Sequence, residues 1–206
     1  MDAIAARWDN KAAHWDCDLA APACHLNADD AYRRFLDQLA LVVQQRHVFC
    51  GAHGVIDAGC ATGLVIASIL PSFAWGIGVD ISPQMIRLAR AKQLPKSGFL
   101  VADCFKLRAS CPKAGAIVSR GVLLSHYGSR QGEALLQSAH SCLVERGFIF
   151  WDFLNQAAVA KYGHIAANKT HFEAKEICAM ATRAGFGAST ILGEPDRRVR
   201  MLYAER

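Results

Sequence analysis

The sequence predicts an open, mostly parallel α/β sheet wrapped by helices on both faces, and three observations predict it. From residue 54 onward, apolar runs of strand length alternate with longer runs of helical period. Three of the strand-like runs end in an acid: Asp57, Asp80 and Asp103. After the first of them comes a loop of small residues, Ala58-Gly-Cys-Ala-Thr62, and then an apolar helical run. In such sheets ligands bind beyond the carboxyl ends of the strands, near the point where strand order reverses.

The elements follow in order. Residues 2–48 read as helical, with Tyr32, Phe35, Leu36, Leu39 and Val42 or Val43 on one face at i, i+3, i+4, i+7 spacing. Asp29 or Asp30 suits the N-cap of that helix. Residues 7–15 form a short lead-in carrying Trp8, His14 and Trp15, either a flap over a pocket or a helix packed on the sheet. Residues 17–27, with Pro22, read as loop. Val55 and Ile56 form the first strand, and Gly63 opens a helix that Pro71 stops. The second strand covers 75–81 and ends at Asp80; Ser82-Pro83 then starts a helix in cap-then-proline order, running through Met85, Ile86, Leu88 and Ala89. Residues 98–103 form the third strand and 114–121 the fourth. A helix over 131–145 turns Leu135, Leu136, Ala139 and Leu143 inward, and 147–154 form the fifth strand. The connection 155–170 is weakly patterned and longer than usual, and such loops often carry function. Residues 172–184 form a helix with Gly185 just past its end, and 188–192 and 199–203 flank a Gly-Glu-Pro-Asp turn as an antiparallel pair.

Bulk composition excludes several classes. With 206 residues, 52% hydrophobic and 20% charged, the chain has material for one well-packed domain rather than a disordered or collagen-like one. No apolar run approaches the roughly 20 residues that span a bilayer, so no membrane partner is expected. The N-terminus lacks the charged-then-apolar order of a secretory signal, which reads as cytoplasmic. The eight cysteines include no CxxC pair and several sit in apolar patterns, so a reduced, disulfide-free protein is expected. The net charge of +5 is mild; Arg197, Arg198 and Arg200 read as a solvated hairpin in preference to a nucleic-acid patch.

The small-residue loop lets backbone N–H groups approach a ligand, and an acid beside it suits hydroxyls or an amine better than phosphate. A nucleoside cofactor without a pyrophosphate grip follows. NAD binding would place glycines at positions one, three and six of the loop, where this chain has Gly59, Ala61 and Leu64.

The chain resembles the class I S-adenosylmethionine-dependent methyltransferases from about residue 51 to its C-terminus. Asp57-Ala58-Gly59-Cys60-Ala61-Thr62-Gly63 is similar to the family's first motif, Gly78-Val79-Asp80-Ile81-Ser82 to the second, Ala102-Asp103-Cys104 to the third, and Ser119-Arg120-Gly121-Val122-Leu123 to the fourth. The resemblance implies strand order 3-2-1-4-5-7-6 with the seventh antiparallel. It implies S-adenosyl-L-methionine as cofactor and S-adenosyl-L-homocysteine as product. The first motif would wrap the methionine and ribose, Asp80 the ribose hydroxyls, Ile81 the adenine and Asp103 its amine. Backbone of the fourth would meet the amino-acid end. The candidate cofactor set is Asp57, Ala58, Gly59, Cys60, Gly63, Asp80, Ile81, Met85, Asp103, Cys104, Ser119, Arg120 and Gly121. Ala61 departs from the glycine that many members carry, and alanine fits there if its φ stays negative.

The implied reaction is methyl transfer by in-line displacement to an N, O or other nucleophile, with a base needed where the acceptor arrives protonated. His126, in the Leu-Leu-Ser-His-Tyr-Gly run after the fourth strand, leads the candidates, followed by Asp152 at the end of the fifth strand and His14 of the lead-in. Tyr127 beside His126 reads as packing. The histidines show no metal-ligand spacing and the fourth strand ends in Ser119, so no catalytic metal is expected. No Asn-Pro-Pro-Tyr-like motif and no paired cysteines of the RNA cytosine-C5 type occur. A small-molecule acceptor is therefore favoured over RNA or protein, with nucleic acid not expected as partner and a monomer or homodimer as the assembly. A non-catalytic binding module of the same fold is the remaining alternative. The expected organisation is a helical lid or lead-in over 1–50 and the cofactor-binding domain over 51–206, one structural domain overall.

Overall fold

The computed structural model describes residues 2–16, 30–121, 123–164 and 168–206. Seven strands form one sheet: β1 (Val55–Ala58), β2 (Gly76–Asp80), β3 (Ser97–Val101), β4 (Ala114–Ser119), β5 (Leu143–Leu154), β6 (Ala188–Leu192) and β7 (Val199–Glu205). Their order is β3-β2-β1-β4-β5-β7-β6. β1 to β5 pair in parallel, and β7 runs antiparallel to both of its neighbours, as the resemblance implied.

Nine helices surround the sheet among the described residues: α1 (Asp2–Ala12), α2 (Ala31–Gln45), α3 (His47–Ala52), α4 (Leu64–Ile69), α5 (Pro83–Ala91), α6 (Leu107–Ser110), α7 (Ser129–Cys142), α8 (Val159–Tyr162) and α9 (Ala174–Arg183). Side chains alternate across the strands and so feed two cores. Val55, Ala116, Val118, Phe148 and Phe150 face Phe35, Leu39 and Val43 of α2. Ile56, Ile117, Ile149 and Trp151 face Leu135, Leu136 and Ala139 of α7 and Ile177 and Met180 of α9. With both faces covered, β1 and β4 are buried at every position, which is why they read as apolar up to Asp57 and Ser119. Phe35 meets Phe150 edge-on at 5.0 Å, an arrangement worth about 0.5–1.5 kcal/mol beyond the area it buries.

Local signals place most boundaries. Ser82 caps α5 by accepting from the Met85 N–H at 3.1 Å, with Pro83 at the first helical position. α4 stops at Ile69, and Pro71 sits in the short 3₁₀ turn that follows. Four expectations shift. The helix read over 131–145 ends at Cys142, because Leu143 joins β5 and pairs with Ala114 across a bulge; the apolar residue is buried either way. β3 stops at Val101, so Asp103 instead caps the next turn, accepting from the Phe105 N–H at 2.9 Å. The helix read over 172–184 starts at Ala174, Phe172 instead bridging to Asn155. Asp30 stands at the N-cap of α2 with φ 54° and makes no side-chain cap bond, pairing with exposed Arg33 at 3.7 Å instead. The loop read over 17–27, Asp29, Cys17, Cys24 and Val122 lie outside the described residues. No helix among the described residues is long and apolar enough to cross a membrane.

Candidate active site at the carboxyl edge of the sheet

Strand order reverses between β1 and β4, and the loops leaving these two strands bound a cavity of about 360 Å³. That volume lies in the range of small-molecule and cofactor sites, about 300–1,000 Å³.

The β1–β3 side is built from carboxylates and backbone donors. The N–H groups of Gly59 and Cys60 donate to the Val79 carbonyl at 2.8 and 2.9 Å, tying the loop to β2. The Asp80 carboxylate, 8% exposed, accepts from the Ala61 N–H and the Ser82 N–H, each at 2.9 Å. The Ala61 bond explains a correction: φ at Ala61 is +46°, not negative. A non-glycine residue there costs about 1–2 kcal/mol, and the Asp80 bond offsets it. Gly63 caps α4 with φ +81°, and a Cβ on it would stand 2.9 Å from the Phe99 ring; this position requires glycine twice over.

Asp57 is 1% exposed, and its Oδ2 has no hydrogen-bond partner. Burial, reinforced by the neighbouring charge of Asp80 and opposed by a backbone bond from Ile66, pushes its carboxyl up to about 7. Burial also raises Asp80, against the bonds from Ser82 and Ala61. The same burial pushes the Cys60 and Cys104 thiols up, which keeps them neutral. A recess of about 20 Å³, sharing the walls of Gly59, Ala61 and Arg120 with the main cavity, reaches Asp57 and Tyr32.

The β4–β5 side is built from cations and aromatic rings. Arg120 follows β4 and pairs with Asp152 of β5 at 3.0 Å, both side chains almost wholly buried. Asp152 also accepts from the Gly121 N–H at 3.0 Å. A 3₁₀ turn, Leu124–His126, then brings His126 into the cavity wall beside Tyr127. Two bonds lock this turn: Ser125 Oγ accepts from the Leu154 N–H at 2.9 Å, and the Ser125 carbonyl accepts from the Thr170 N–H at 2.8 Å. The second bond sets Lys169 against the His126 ring, with Nζ 2.8 Å from Nδ1. Burial, then the charges of Arg7 and Lys11, lower Lys169 to about 7, with Asp152 opposing.

The N-terminal segment lies over the cavity, and its main packing contact is with a helix rather than with the sheet. α1 packs across α5 and also roofs the cavity with Ile4, Arg7 and Trp8, while Trp15 lines it just beyond. Asp9 accepts from the Ser82 hydroxyl and from the Gln84 N–H, the latter at 3.0 Å. Asp16 accepts from the Thr62 hydroxyl and from Lys92 Nζ, the latter at 3.0 Å. Trp8 stands edge-on to His126 at 5.3 Å.

The cavity thus brings together Gly59, Asp80, Ile81, Met85, Asp103, Cys104, Arg120, Gly121 and His126 of the residues singled out by sequence. Asp57 and Cys60 line the recess. Ala58 is buried in β1 and its carbonyl accepts from the Ser119 hydroxyl at 2.7 Å, so both brace the strand ends. Gly63 serves as a cap. Asp152 is held by Arg120 and Gly121 rather than facing the cavity, and His14 is exposed and lines no part of it. Tyr127, read as packing, does line it while meeting Phe105 edge-on at 5.1 Å. Arg7 and Lys169 escaped the sequence reading. For Lys169 the available signal was the long 155–170 connection; for Arg7 there was none beyond its place beside Trp8.

Residues 55–147 match the family model described as a methyltransferase domain. No curated protein is similar enough in sequence to count as a match. Among solved structures, magnesium protoporphyrin IX methyltransferase (ChlM) from Synechocystis PCC 6803 with bound SAM is 17% identical, with a TM-score of 0.70 over 94% of this chain and 90% of that one. The sugar N-methyltransferase KedS8 from Streptoalloteichus sp ATCC 53650 is 18% identical, with a TM-score of 0.70 over 87% and 90%. N-methyltransferase NodS from Bradyrhizobium japonicum WM9, in complex with S-adenosyl-l-homocysteine, is 17% identical, with a TM-score of 0.64 over 95% and 98%. At these identities what is shared is the fold.

Proposed function

We infer that this chain, which carries a class I S-adenosylmethionine-dependent methyltransferase domain, moves the cofactor's methyl group onto a nucleophile of a small-molecule acceptor. The observation that carries this reading is the two-sided cavity, with carboxylates and loop N–H groups on one wall and His126 on the other. When bound, S-adenosylmethionine supplies an electrophilic methyl on a sulfonium and leaves as S-adenosylhomocysteine.

The residues present fit that group. The orphaned, buried Oδ2 of Asp57 suits an ammonium at the amino-acid end. Asp80 has lone pairs left for ribose hydroxyls, Asp103 suits the adenine amine, and Ile81 and Met85 give apolar contact for the base. Met85 is 1% exposed, so its side chain forms a fixed wall. Gly59 and Gly121 let backbone approach closely.

On the acceptor side, His126 takes the proton from an acceptor that arrives protonated, and positioned bases of this kind contribute about 10²–10⁴-fold. Trp8 and Tyr127 exclude water and orient the acceptor. Asp152 we read as a positioning residue for Arg120 and the Gly121 turn. Residues 1–50 act as lid and lead-in and 51–206 as the methyltransferase domain. A small acceptor is favoured because α1 roofs the cavity, and because Arg197, Arg198 and Arg200 do not line it. Their guanidinium groups turn to Glu194, to the Tyr162 carbonyl and to the Gly193 carbonyl.

Two measurements test this. Titration calorimetry should give micromolar binding of S-adenosylhomocysteine and none of NAD; the reverse would sink the reading. Tritiated-methyl transfer should label a low-mass product from a metabolite extract, with turnover about 10²-fold lower in His126→Gln; label appearing in RNA or protein instead would move the acceptor to a macromolecule.

A further inference from the structure

The roof and far wall of the cavity carry a charge that the transfer reaction by itself does not call for. Arg7 and His126 line it, Lys169 lies against the His126 ring, and Lys11 approaches the Trp8 ring at 5.2 Å. Arg7 approaches the same ring at 5.6 Å, so Trp8 gathers two cations, of which Arg7 lines the cavity. Asp80 and Asp103 line the cavity on its β1–β3 side, and the other acids nearby are engaged elsewhere. Asp152 is shared between Arg120 and the Gly121 N–H, Asp9 caps α5, and Asp16 holds Thr62 and Lys92. The sulfonium of the cofactor would bring one more positive charge to this space.

Resting on the methyltransferase reading of this cavity, we propose that the acceptor is an anion: a small planar acid whose carboxylate sits between Lys169 and Arg7 while its ring lies between Trp8 and Tyr127, leaving His126 to act as base. Charge-assisted bonds from these donors would fix its orientation, and the aromatic walls would take the apolar ring. The groups that face Lys169 are Arg7 and Lys11 from α1, His126 from the 3₁₀ turn and Asp152 from β5. Two of these four, Arg7 and Lys11, are cations that favour an added anion. The ammonium lowered to about 7 by burial and by Arg7 and Lys11 is stabilised again once a carboxylate arrives beside it. A cationic or neutral acceptor would leave the excess uncompensated.

The test divides a metabolite extract at pH 7.5 on anion- and cation-exchange resins into anionic, neutral and cationic pools, and offers each to the full chain with tritiated S-adenosylmethionine. The anionic pool should give at least tenfold more labelled product than either other pool. With the product's acceptor in hand, Lys169→Met should raise KM at least tenfold and Lys169→Arg should stay within threefold of the wild type. Calorimetric affinity for S-adenosylhomocysteine within threefold of the wild type in both variants shows that the fold and the cofactor side are intact. Label arising chiefly from the neutral or cationic pool, or a KM unmoved in Lys169→Met, overturns the proposal and leaves the methyltransferase reading standing. No label from any pool, in a chain that binds S-adenosylhomocysteine, overturns both.

Discussion

The two walls of the cavity solve the same problem, a buried charge at a strand end, in opposite ways. On the β1–β3 side, Asp80 is met by neutral backbone N–H groups from Ala61 and Ser82, and Asp57 keeps one oxygen without a partner. Neutral donors stabilise a carboxylate without cancelling its charge, so this wall stays acidic toward a ligand. On the β4–β5 side, Asp152 meets a full guanidinium at 3.0 Å, and the pair cancels. What remains beside that wall is Arg7 of the roof and Lys169, whose ammonium is lowered to about 7. Two acids at the ends of apolar strands therefore do different work: Asp80 faces the ligand space, and Asp152 anchors the arginine and the turn beside it.

Removing the anchor should give the largest effect. Asp152→Ala leaves the Arg120 charge buried without its carboxylate, and such a break costs about 3–5 kcal/mol; chemical denaturation reads it. A midpoint unchanged in Asp152→Ala, together with loss of turnover, would show that Asp152 serves chemistry and that the two walls are not as different as they look. On the other wall, Asp80→Ala should weaken S-adenosylhomocysteine by about 10²-fold, since it removes ligand contacts and frees the Ala61 loop, with hydrogen bonds to charged groups worth about 1.5–3 kcal/mol each. Calorimetry decides, and affinity within threefold of the wild type would remove Asp80 from the cofactor site.

A proton sharpens the comparison further. With its carboxyl held near 7, folded Asp57 binds more protons than the unfolded chain between about pH 4 and 7, so its contribution to stability falls as pH rises through that window. A ligand ammonium favours the ionised form and would release that proton. Affinity for S-adenosylhomocysteine should then rise about tenfold from pH 6 to pH 8 and rise much less in Asp57→Asn; equal slopes in the two proteins would take the ammonium away from Asp57. The smallest effect belongs to the loop. Ala61→Gly relieves the +46° φ and should stabilise the protein by up to about 1 kcal/mol. A lower melting temperature in that variant would mean that the alanine methyl, packed with Ala12 and Met85, outweighs its strain.

The acidic wall was legible in the sequence and the basic wall was not, and the distances along the chain explain why. Asp57, Asp80 and Asp103 each end an apolar run beside a small-residue loop or a cap signal, so local pattern places them at one sheet edge. His126 stood out through the resemblance, by its place in the run that follows the fourth motif. Lys169 reaches it only through the Thr170 to Ser125 backbone bond, across a connection without periodicity. Asp152 carried the same local signature as Asp80, and only the arrival of Arg120 distinguished them.

By itself, then, the sequence determined the alternation of strands and helices, the two-faced core, the cap at Ser82 and the acids at the carboxyl edge of the sheet, because each is dictated within one element or its flanks. The strand order came only as an implication of the family resemblance that its motifs carry. Tertiary structure alone decided that α1 roofs the cavity, that Ala61 takes a positive φ, that Asp152 pairs with Arg120, and that Lys169 joins His126 on a cationic wall. Those outcomes depend on contacts between segments far apart in the chain, where packing and the need to satisfy buried charge override what local pattern can express.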